Sequence, residues 1–318
     1  MNGSLALEPF IQEQGVLILD GGLATELEKR GADLSDDLWS ARLLLEDPAS
    51  IRQLHLDYFE AGADVAISAS YQASFEGFSR RGLSHRSSVE LMQRSVRLAK
   101  EARDQFQAAA DLRSEVSRRL PPLVAASVGS YGAFLADGSE YTGEFGLSKG
   151  DLIDWHRPRL EALLGADPDL LACETVPCLD EGEALAELLT EYDETPAWIS
   201  FSCRDDEHVS RGEPISHCVE LVNSCSTVVA AGLNCTAPKH VKKLLKRARA
   251  ATCKPLVCYP NSGARWNGHA GQWVDESSVV DFAVHAPTWQ AAGAQLIGGC
   301  CRTSPNDIRN LRRLLLGS

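Results

Sequence analysis

The sequence predicts a single-domain (β/α)₈ barrel, the TIM-type arrangement of alternating strands and helices. Eight short apolar runs with many β-branched residues alternate with longer amphipathic segments along the whole chain. Glycines recur where a helix gives way to the next apolar run. The first run is not followed by Gly-x-Gly-x-x-Gly, which argues against the rival architecture, an open doubly wound sheet. Eight such units in succession are typical of a barrel.

The strands are predicted from near-continuous apolar runs, the pattern of parallel strands that are covered on both faces. Three consecutive runs begin near residues 197, 228 and 255, close to the ~30 residues of a bare strand–helix unit. The earlier units are longer and contain additional loop. The eight predicted strands span residues 16–20, 65–70, 123–128, 170–174, 197–202, 228–233, 255–259 and 295–298.

The segment 48–61 shows how the helices between the strands are assigned. Its apolar side chains recur at three-to-four spacing, which indicates one buried helix face. Asp47 stands at the N-cap position, Pro48 in the first turn and Gly62 just past the end. These signals predict a helix with both ends defined.

Glycines at helix ends are expected to return the chain to the sheet. A glycine there supplies the left-handed cap that other residues adopt at a cost, and we expect Gly62, Gly165 and Gly293 to act in this way. The polar stretch 100–119 is predicted to be the end of a long helix followed by a surface loop, not a boundary between domains.

The charge balance of the chain restricts its partners. There are 31 Lys and Arg against 44 Asp and Glu in 318 residues, a formal net charge of −13. Nucleic acids and anionic membranes bind basic surfaces, so neither is an expected partner. No signal peptide is recognisable, and no apolar stretch reaches the ~18 residues of a membrane span. We therefore expect a cytoplasmic protein whose ten cysteines are reduced.

In a (β/α)₈ barrel the active site lies at the carboxyl ends of the strands, in the loops that lead into the helices. Polar and thiol residues follow the predicted strands more often than a purely structural barrel requires. The strand-end segments are Asp20-Gly21-Gly22, Ser70-Tyr71-Gln72, Gly129-Ser130-Tyr131-Gly132, Cys173-Glu174-Thr175, Asn234-Cys235, Tyr259-Pro260-Asn261-Ser262-Gly263 and Gly298-Gly299-Cys300-Cys301-Arg302.

Three cysteines among these segments suggest a zinc site. Cys235 ends the sixth strand, Cys300 and Cys301 follow the eighth, and only one strand separates the two in a barrel. Three thiolates with one open position are typical of catalytic zinc. Neighbouring residues of a regular strand point to opposite faces. Cys300 and Cys301 can therefore bind the same ion only if the strand ends before them, which the flexible backbone of Gly298-Gly299 would allow. Two buried thiols beside a tight turn, or a strained vicinal disulfide, remain alternatives.

Two acidic residues, Asp20 and Glu174, also follow apolar strands. Each either accepts backbone N–H bonds from its own loop or binds the ammonium group of an amino-acid substrate, and the residues alone leave both readings open. Four aromatic residues near the same rim could hold a cation against their ring faces, although ordinary packing explains at least one or two of them. They are Trp39, Tyr71, Tyr131 and Tyr259.

Together these segments resemble the homocysteine S-methyltransferase family. The resemblance covers residues 15–312, the expected core of a domain that spans 1–318. The Asn-Cys and Gly-Gly-Cys-Cys pair is its most specific part. The matching segments are Leu19-Asp20-Gly21-Gly22 with Ala24-Thr25-Glu26-Leu27-Glu28, Ser70-Tyr71-Gln72-Ala73, Ser127-Val128-Gly129-Ser130-Tyr131-Gly132-Ala133 with Ala136-Asp137-Gly138-Ser139-Glu140-Tyr141, Gly232-Leu233-Asn234-Cys235, and Gly298-Gly299-Cys300-Cys301-Arg302-Thr303.

The resemblance implies one Zn²⁺ per chain on Cys235, Cys300 and Cys301, and L-homocysteine as the methyl acceptor. It further implies a set of substrate-binding residues. Asp20 and Glu174, with the backbone of Gly21 and Gly22, would hold the amino and carboxylate groups, while Trp39 and Tyr71 would lie near the methyl donor. Asn234 would also contribute to substrate binding, and the roles of Tyr131 and Asn261 stay open.

Within the family, the chain resembles the short branch that uses S-methylmethionine. The segments that carry this resemblance include Trp39-Ser40-Ala41 and Tyr259-Pro260-Asn261-Ser262-Gly263. Relatives that use methyl-folate or betaine carry further domains or a longer C-terminal extension, and we expect neither beyond Ser318. The leaving group is then a neutral thioether, so no general acid is required. S-adenosylmethionine is a second sulfonium donor to consider.

Three other functions remain as alternatives. The first is a betaine-type homocysteine methyltransferase. The second is a non-catalytic redox or zinc sensor that uses Cys300 and Cys301. The third is a phosphosugar enzyme that binds phosphate at Gly298-Gly299, although no Lys stands at a strand end to serve its chemistry.

Overall fold

Eight parallel strands form a nearly closed barrel in the computed structural model, which describes residues 6–33, 39–112, 119–263, 265–267, 272–274 and 282–317. Numbered in chain order, the strands of the described residues are β1 (Leu17–Ile18), β2 (Val65–Ile67), β3 (Leu123–Gly129), β4 (Leu170–Val176), β5 (Ala197–Phe201), β6 (Val228–Asn234), β7 (Leu256–Tyr259), β8 (Arg265–Asn267), β9 (Gln272–Val274) and β10 (Ala294–Ile297). Two of these strands, β8 and β9, form a separate pair outside the barrel. The barrel order is β1-β10-β7-β6-β5-β4-β3-β2.

The first and second strands close the barrel just beyond the end of β1. Leu19 pairs in parallel with Val65, and the Asp20 N–H donates to the Val65 carbonyl at 3.0 Å. On the other side of β1, the Leu19 N–H donates to the Ile297 carbonyl at 2.9 Å. The prediction of a (β/α)₈ barrel is therefore confirmed, and so is each of its eight strands, with differences only at their ends.

The helices surround the barrel. They are α1 (Glu8–Gln14), α2 (Leu23–Lys29), α3 (Leu43–Glu46), α4 (Pro48–Ala61), α5 (Phe75–Arg80), α6 (His85–Leu112), α7 (Tyr131–Leu135), α8 (Lys149–Leu164), α9 (Leu179–Leu189), α10 (Ile215–Glu220), α11 (Pro238–Ala251), α12 (Ala286–Ala291) and α13 (Pro305–Leu316). In the parts of the chain described, none of them is both long and apolar enough to cross a bilayer.

The strands are apolar on both faces because each face is buried against a different core. Alternate residues point into the barrel, where Leu17, Val65, Trp198 and Leu296 pack together. The residues between them point outwards and form a larger core with the helices. This double burial explains why the strands read as near-continuous apolar runs.

The ends of α4 are those that the sequence predicts. The Asp47 side chain accepts the Ser50 N–H, and Gly62 follows in the left-handed conformation at φ 114°. Gly293 after α12 is also left-handed, at φ 107°. The expectation for Gly165 is wrong: it has φ −61°, and the left-handed residue is Asp167, at φ 53°, two positions later.

The long helix predicted to end within 100–119 is α6, and residues 113–118 of the expected loop lie outside the described residues. The antiparallel pair of β8 and β9, in the segment between β7 and α12, was not predicted. Each of these two strands has only three residues, too few for a period-two pattern to be recognised.

Candidate active site

Three cysteine sulfurs converge at the carboxyl end of the barrel. Cys235 directly follows β6, while Cys300 and Cys301 follow β10. The three sulfurs lie within 4.8 Å of one another, and those of Cys235 and Cys301 are 3.6 Å apart. A tetrahedral ion with metal–sulfur bonds of about 2.3 Å requires sulfurs about 3.8 Å apart, so the cluster fits such an ion. Across the described ranges no fourth Cys, His, Asp or Glu joins the group, which leaves one coordination position open.

A strained backbone directs Cys235 towards the cluster. This residue has φ 45°, in the left-handed region that residues other than glycine adopt at a cost. Its N–H donates to the Tyr259 carbonyl at 3.0 Å, and the Asn261 side chain donates to its carbonyl at 3.4 Å. Hydrogen bonds from β7 and the following loop thus hold the conformation. Strain maintained in this way is common at functional sites.

Both neighbouring cysteines reach the cluster because β10 ends at Ile297, before the two glycines. The prediction that the strand ends before the two cysteines is confirmed. Glycine is required at positions 298 and 299 because there is no room for a side chain. A Cβ on Gly298 would lie 2.5 Å from the Leu19 Cβ, and one on Gly299 would lie 2.2 Å from the Thr303 Oγ1. The two glycines therefore allow this loop to pack directly against β1 and Thr303.

Hydrogen bonding within the cluster favours a thiolate. Cys300 first, and then Cys301, hydrogen-bond to the Cys235 sulfur and hold the pKa of that thiol well below its usual value. The hydroxyl of Tyr141 lies 3.2 Å from the same sulfur. A thiol with a lowered pKa loses its proton more readily, which favours binding of a cation.

Two buried carboxyls, those of Asp20 and Glu174, lie at the strand ends. Asp20 is 2% exposed, and its Oδ2 accepts the Ile67 N–H of β2 at 2.8 Å. Glu174 is 7% exposed, and its Oε1 accepts the Ser127 hydroxyl proton at 2.5 Å. Burial raises the pKa of Asp20 well above its ordinary value, and the charge of Glu174 adds to the effect. Burial likewise raises the pKa of Glu174 to about 7. Two neighbouring carboxyls that resist ionisation suit a cationic ligand.

The glycines after β1 allow two loops to meet. A Cβ on Gly22 would lie 2.5 Å from the Cys300 carbonyl oxygen, and one on Gly21 would lie 2.9 Å from the Thr303 Oγ1. The Gly22 N–H already donates to Thr303, at 3.0 Å to its hydroxyl and 3.1 Å to its carbonyl. The two glycines thus position the cysteine loop, and their part in binding substrate stays a prediction.

Asn234 supports the residue that follows Glu174. Its Oδ1 accepts the Thr175 N–H at 2.8 Å, and its Nδ2 donates to the Thr175 hydroxyl at 2.7 Å. Thr175 is left-handed, at φ 58°, so the amide of Asn234 compensates for a second strained strand end. Both side-chain atoms are used within the protein, and direct contact of Asn234 with substrate remains a prediction.

Replacing Asn234 with Ala is expected to destabilise the protein by about 1–3 kcal/mol, because the buried Thr175 N–H loses its acceptor. The Michaelis constant for homocysteine should rise as well, since Glu174 directly precedes Thr175 in the chain. Denaturant unfolding and steady-state kinetics measure the two effects. Asn223→Ala, which removes one exposed and one partly buried hydrogen bond of an exposed side chain, is the control and should change stability less. Equal stability losses in the two variants would contradict the role of Asn234.

The four aromatic residues of the predicted rim have different environments. Trp39 begins the 3₁₀-helix Trp39–Arg42, but its side chain lies outside the described residues. Tyr71 hydrogen-bonds to Thr175, and the charges of Cys235 and Glu174 act on its hydroxyl, so it lies in the site.

The other two aromatic residues pack within the protein. Tyr131 lies in an aromatic cluster, 5.0 Å between ring centroids from Trp155. Tyr259 lies inside the barrel, where its hydroxyl accepts the Trp198 indole N–H at 3.0 Å. Ordinary packing is therefore the interpretation that the structure favours for Tyr131. Tyr259 is buried inside the barrel but also lies next to Glu174, whose charge, after burial, contributes to raising the pKa of its hydroxyl.

Two further residues, Glu140 and Tyr141, reach the site from the 3₁₀-turn Ser139–Tyr141 between β3 and α8. Tyr141 contacts the Cys235 sulfur, and Glu140 is close enough for its charge to affect Tyr71. Both belong to a segment that carries the family resemblance, but neither was predicted as a site residue. Nothing in the sequence around these two residues indicates that the loop after the third strand would reach the end of the sixth strand.

Comparisons with known proteins identify the family of this chain. The family model described as Homocysteine S-methyltransferase matches residues 17–315. Homocysteine S-methyltransferase YbgG of Bacillus subtilis is 47% identical over 305 residues, which cover 96% of each chain. Homocysteine S-methyltransferase 4 of Zea mays is 50% identical over 315 residues, 97% of this chain and 92% of its own.

A solved structure shows the same fold. The homocysteine methyltransferase MmuM from Escherichia coli, in its metallated form, matches with a TM-score of 0.85 at 48% identity. The match covers 96% of this chain and 99% of the other. From the family match, the near-complete relatives and the shared barrel, this chain belongs to the homocysteine S-methyltransferase family.

Proposed function

We propose that this protein transfers a methyl group from a sulfonium donor, S-methylmethionine, to the thiol of L-homocysteine, with Zn²⁺ bound by Cys235, Cys300 and Cys301. The observation that carries the proposal is the set of three converging thiols with one open position. Zinc is the metal that best suits three sulfur ligands in tetrahedral geometry. The Escherichia coli relative has been solved in a metallated form, which supports a metal-dependent reaction.

The bound ion would supply the positive charge that keeps a homocysteine thiol, with a reference pKa near ~8.5, in its nucleophilic thiolate form. Asp20 and Glu174 would hold the substrate ammonium group, because both are buried carboxyls at the cysteine end of the barrel. Tyr71 would lie beside the donor. Methyl transfer releases a neutral thioether, so the protein need not protonate the leaving group. Its main contribution is to align the two sulfurs and the methyl group between them.

A donor comparison tests the reaction and the branch together. Zinc-replete protein is mixed with homocysteine and S-methylmethionine, betaine or S-adenosylmethionine, and methionine is measured. We expect the fastest formation from S-methylmethionine, with two methionines for each homocysteine consumed. Faster formation from betaine would replace the proposed donor. Absence of methionine with all three donors, in protein shown to contain zinc, would overturn the proposed reaction.

The proposed partners are therefore small molecules: homocysteine and a sulfonium compound. We expect the reaction to take place in the cytoplasm, where both thiol substrate and cysteine ligands stay reduced. Fractionation of the source cells followed by the methionine assay would test this placement.

A further inference from the structure

Glu140 places a third acidic group at the cysteine cluster, and the mechanism above does not use it. Its Oε2 is buried and accepts no hydrogen bond. Burial raises the pKa of Glu140 to about 7, a hydrogen bond from its own backbone partly offsets this, and the charges of Cys235 and Asp137 add to it; no cationic side chain of the described chain is among these influences. A buried carboxylate oxygen without a hydrogen-bond partner is costly, so the presence of Oε2 in a well-packed turn requires an explanation.

The surrounding protein holds the turn of Glu140 from three directions. A Cβ on Gly132, after β3, would lie 2.4 Å from the Glu140 nitrogen, so the turn packs directly on that backbone. The Ser202 hydroxyl, just past β5, donates to the Glu140 carbonyl at 2.8 Å. The next residue, Tyr141, contacts the Cys235 sulfur after β6. The position of Glu140 over the strand ends is thus defined by the fold.

The Glu140 carboxyl is close to Tyr71 and Cys235, and in the proposed reaction the methyl donor would lie next to both. After burial, the charge of Glu140 is the largest influence that raises the pKa of Tyr71. The charge of Cys235 in turn contributes to raising the pKa of Glu140 to about 7, after burial, which is the main cause. The Glu140 carboxyl is therefore close to both Tyr71 and Cys235, and no cationic side chain of the described chain offsets its charge.

Asp20 and Glu174 form a separate, deeper acidic pair. Asp20 accepts a hydrogen bond from the backbone of β2, and Glu174 belongs to β4 itself. Glu140 lies in a loop that contacts Ser202, which is beyond the end of β5. One pair of carboxyls thus lies within the strand layer and one carboxyl lies outside it, an arrangement that suits two cationic groups instead of one.

We infer that Glu140 recognises the positively charged sulfur of the methyl donor. The inference rests on the proposed function. Reacting atoms must approach within about 3–3.5 Å, so the donor sulfur lies only one carbon–sulfur bond beyond the methyl group that faces the acceptor. The ammonium group of S-methylmethionine is three carbons further away. A carboxylate next to Cys235 therefore faces the sulfonium charge and not the ammonium charge.

This interaction should act on donor binding more than on the chemical step. In the reaction, the bond from the donor sulfur to methyl breaks and a bond from the homocysteine sulfur to methyl forms. The positive charge of the donor and the negative charge of the acceptor disappear together. The attraction between Glu140 and the donor is consequently strongest before reaction, and such ground-state binding lowers KM without raising kcat.

The test compares Glu140→Gln with Glu144→Gln, a control that removes an exposed carboxylate from the same loop. In zinc-replete protein, Glu140→Gln should weaken binding of S-methylmethionine, measured by titration calorimetry, about 10–100-fold. The KM for the donor should rise similarly, kcat should stay the same or rise slightly, and the KM for homocysteine should be nearly unchanged. Glu140→Asp, which keeps the charge, should recover part of the affinity. Zinc content and melting temperature verify that each variant is folded.

A neutral analogue identifies which donor charge is recognised. Ethionine has the size and the ammonium group of S-methylmethionine, but its sulfur is uncharged. With homocysteine saturating, the wild-type protein should prefer S-methylmethionine over ethionine as a ligand of the donor site, and Glu140→Gln should lose most of that preference. If the variant weakens both ligands equally, Glu140 does not recognise the sulfonium and the inference fails.

The inference and the proposed function can fail separately. A wild-type protein that forms no methionine from any donor refutes the proposed function. An active wild-type protein whose affinity for S-methylmethionine is unchanged in Glu140→Gln refutes only the role of Glu140.

Discussion

Replacing Cys235 with Ser should remove both bound zinc and methyl transfer. Two sulfurs then remain of the three that lie within 4.8 Å of one another, and a serine hydroxyl is a poor substitute for a thiolate. Without the ion, a homocysteine thiol with a pKa near ~8.5 is only about 3% ionised at pH 7, a loss of about 30-fold in reactive thiolate. Loss of the fixed position of the sulfur should reduce the rate by further orders of magnitude.

Metal analysis and the methionine assay measure the two losses in one preparation. Cys258→Ala is the matched control, since Cys258 is also buried in a barrel strand but packs in the outer core, away from the cluster. That variant should keep its zinc and its activity after allowance for lower stability. A Cys235→Ser protein that stays fully active without zinc would refute the metal assignment. A wild-type protein that binds zinc and shows only reversible thiol oxidation, without turnover, would favour the sensor function instead.

Replacing Glu174 with Gln should have opposite effects on stability and on substrate binding. The Gln side chain keeps an oxygen that can accept the Ser127 hydroxyl, but it cannot attract an ammonium group. The KM for homocysteine is therefore expected to rise about 10–100-fold, the equivalent of one hydrogen bond to a charged group.

The stability change should depend on pH in a defined direction. Burial raises the pKa of Glu174 from 4.5 to about 7, so the folded protein holds this proton more tightly than the unfolded chain does. The stability contributed by the protonated form is complete below about 4.5 and is lost as the pH rises through about 7. At pH 8 the ionised group should cost on the order of 3 kcal/mol, which Glu174→Gln avoids.

Denaturant unfolding of ligand-free protein at pH 5 and pH 8 tests this expectation. Glu174→Gln should exceed the wild type in stability far more at pH 8 than at pH 5. Glu183→Gln, which alters an exposed residue of α9, is the control and should show little change at either pH. A stability difference that does not vary between the two pH values would contradict a raised pKa for Glu174.

The barrel and the cysteines that stand at its strand ends could be predicted because their signals are local. Each strand is an apolar run, each run is long enough to recognise, and the helix of residues 48–61 has cap residues at both ends. The prediction failed where local preference was outweighed by packing. Gly165 can adopt a left-handed conformation, but it caps α8 in right-handed geometry, and the left-handed residue is Asp167.

The aromatic residues show the limit of reading strand ends from sequence. Tyr71 and Tyr259 both come at the end of a predicted strand, and nothing in the sequence separates their environments. In the structure both hydroxyls are close enough to Glu174 for its charge to act on them, but that of Tyr259 also accepts the Trp198 indole N–H inside the barrel. Which face a strand-end residue occupies depends on where the strand stops, and the pattern does not define that to one residue.

The sequence by itself determined the alternation of strands and helices and the residues that stand at each strand end, since both follow from periodicity within a few neighbours. Only the tertiary structure decided which of these residues meet. Closure of the barrel brings the Cys235 and Cys301 sulfurs to 3.6 Å, although the two residues are 66 positions apart. It also places Tyr141, 94 positions from Cys235, against the same sulfur. Such contacts depend on strand register and loop course around the whole barrel, which no local segment encodes.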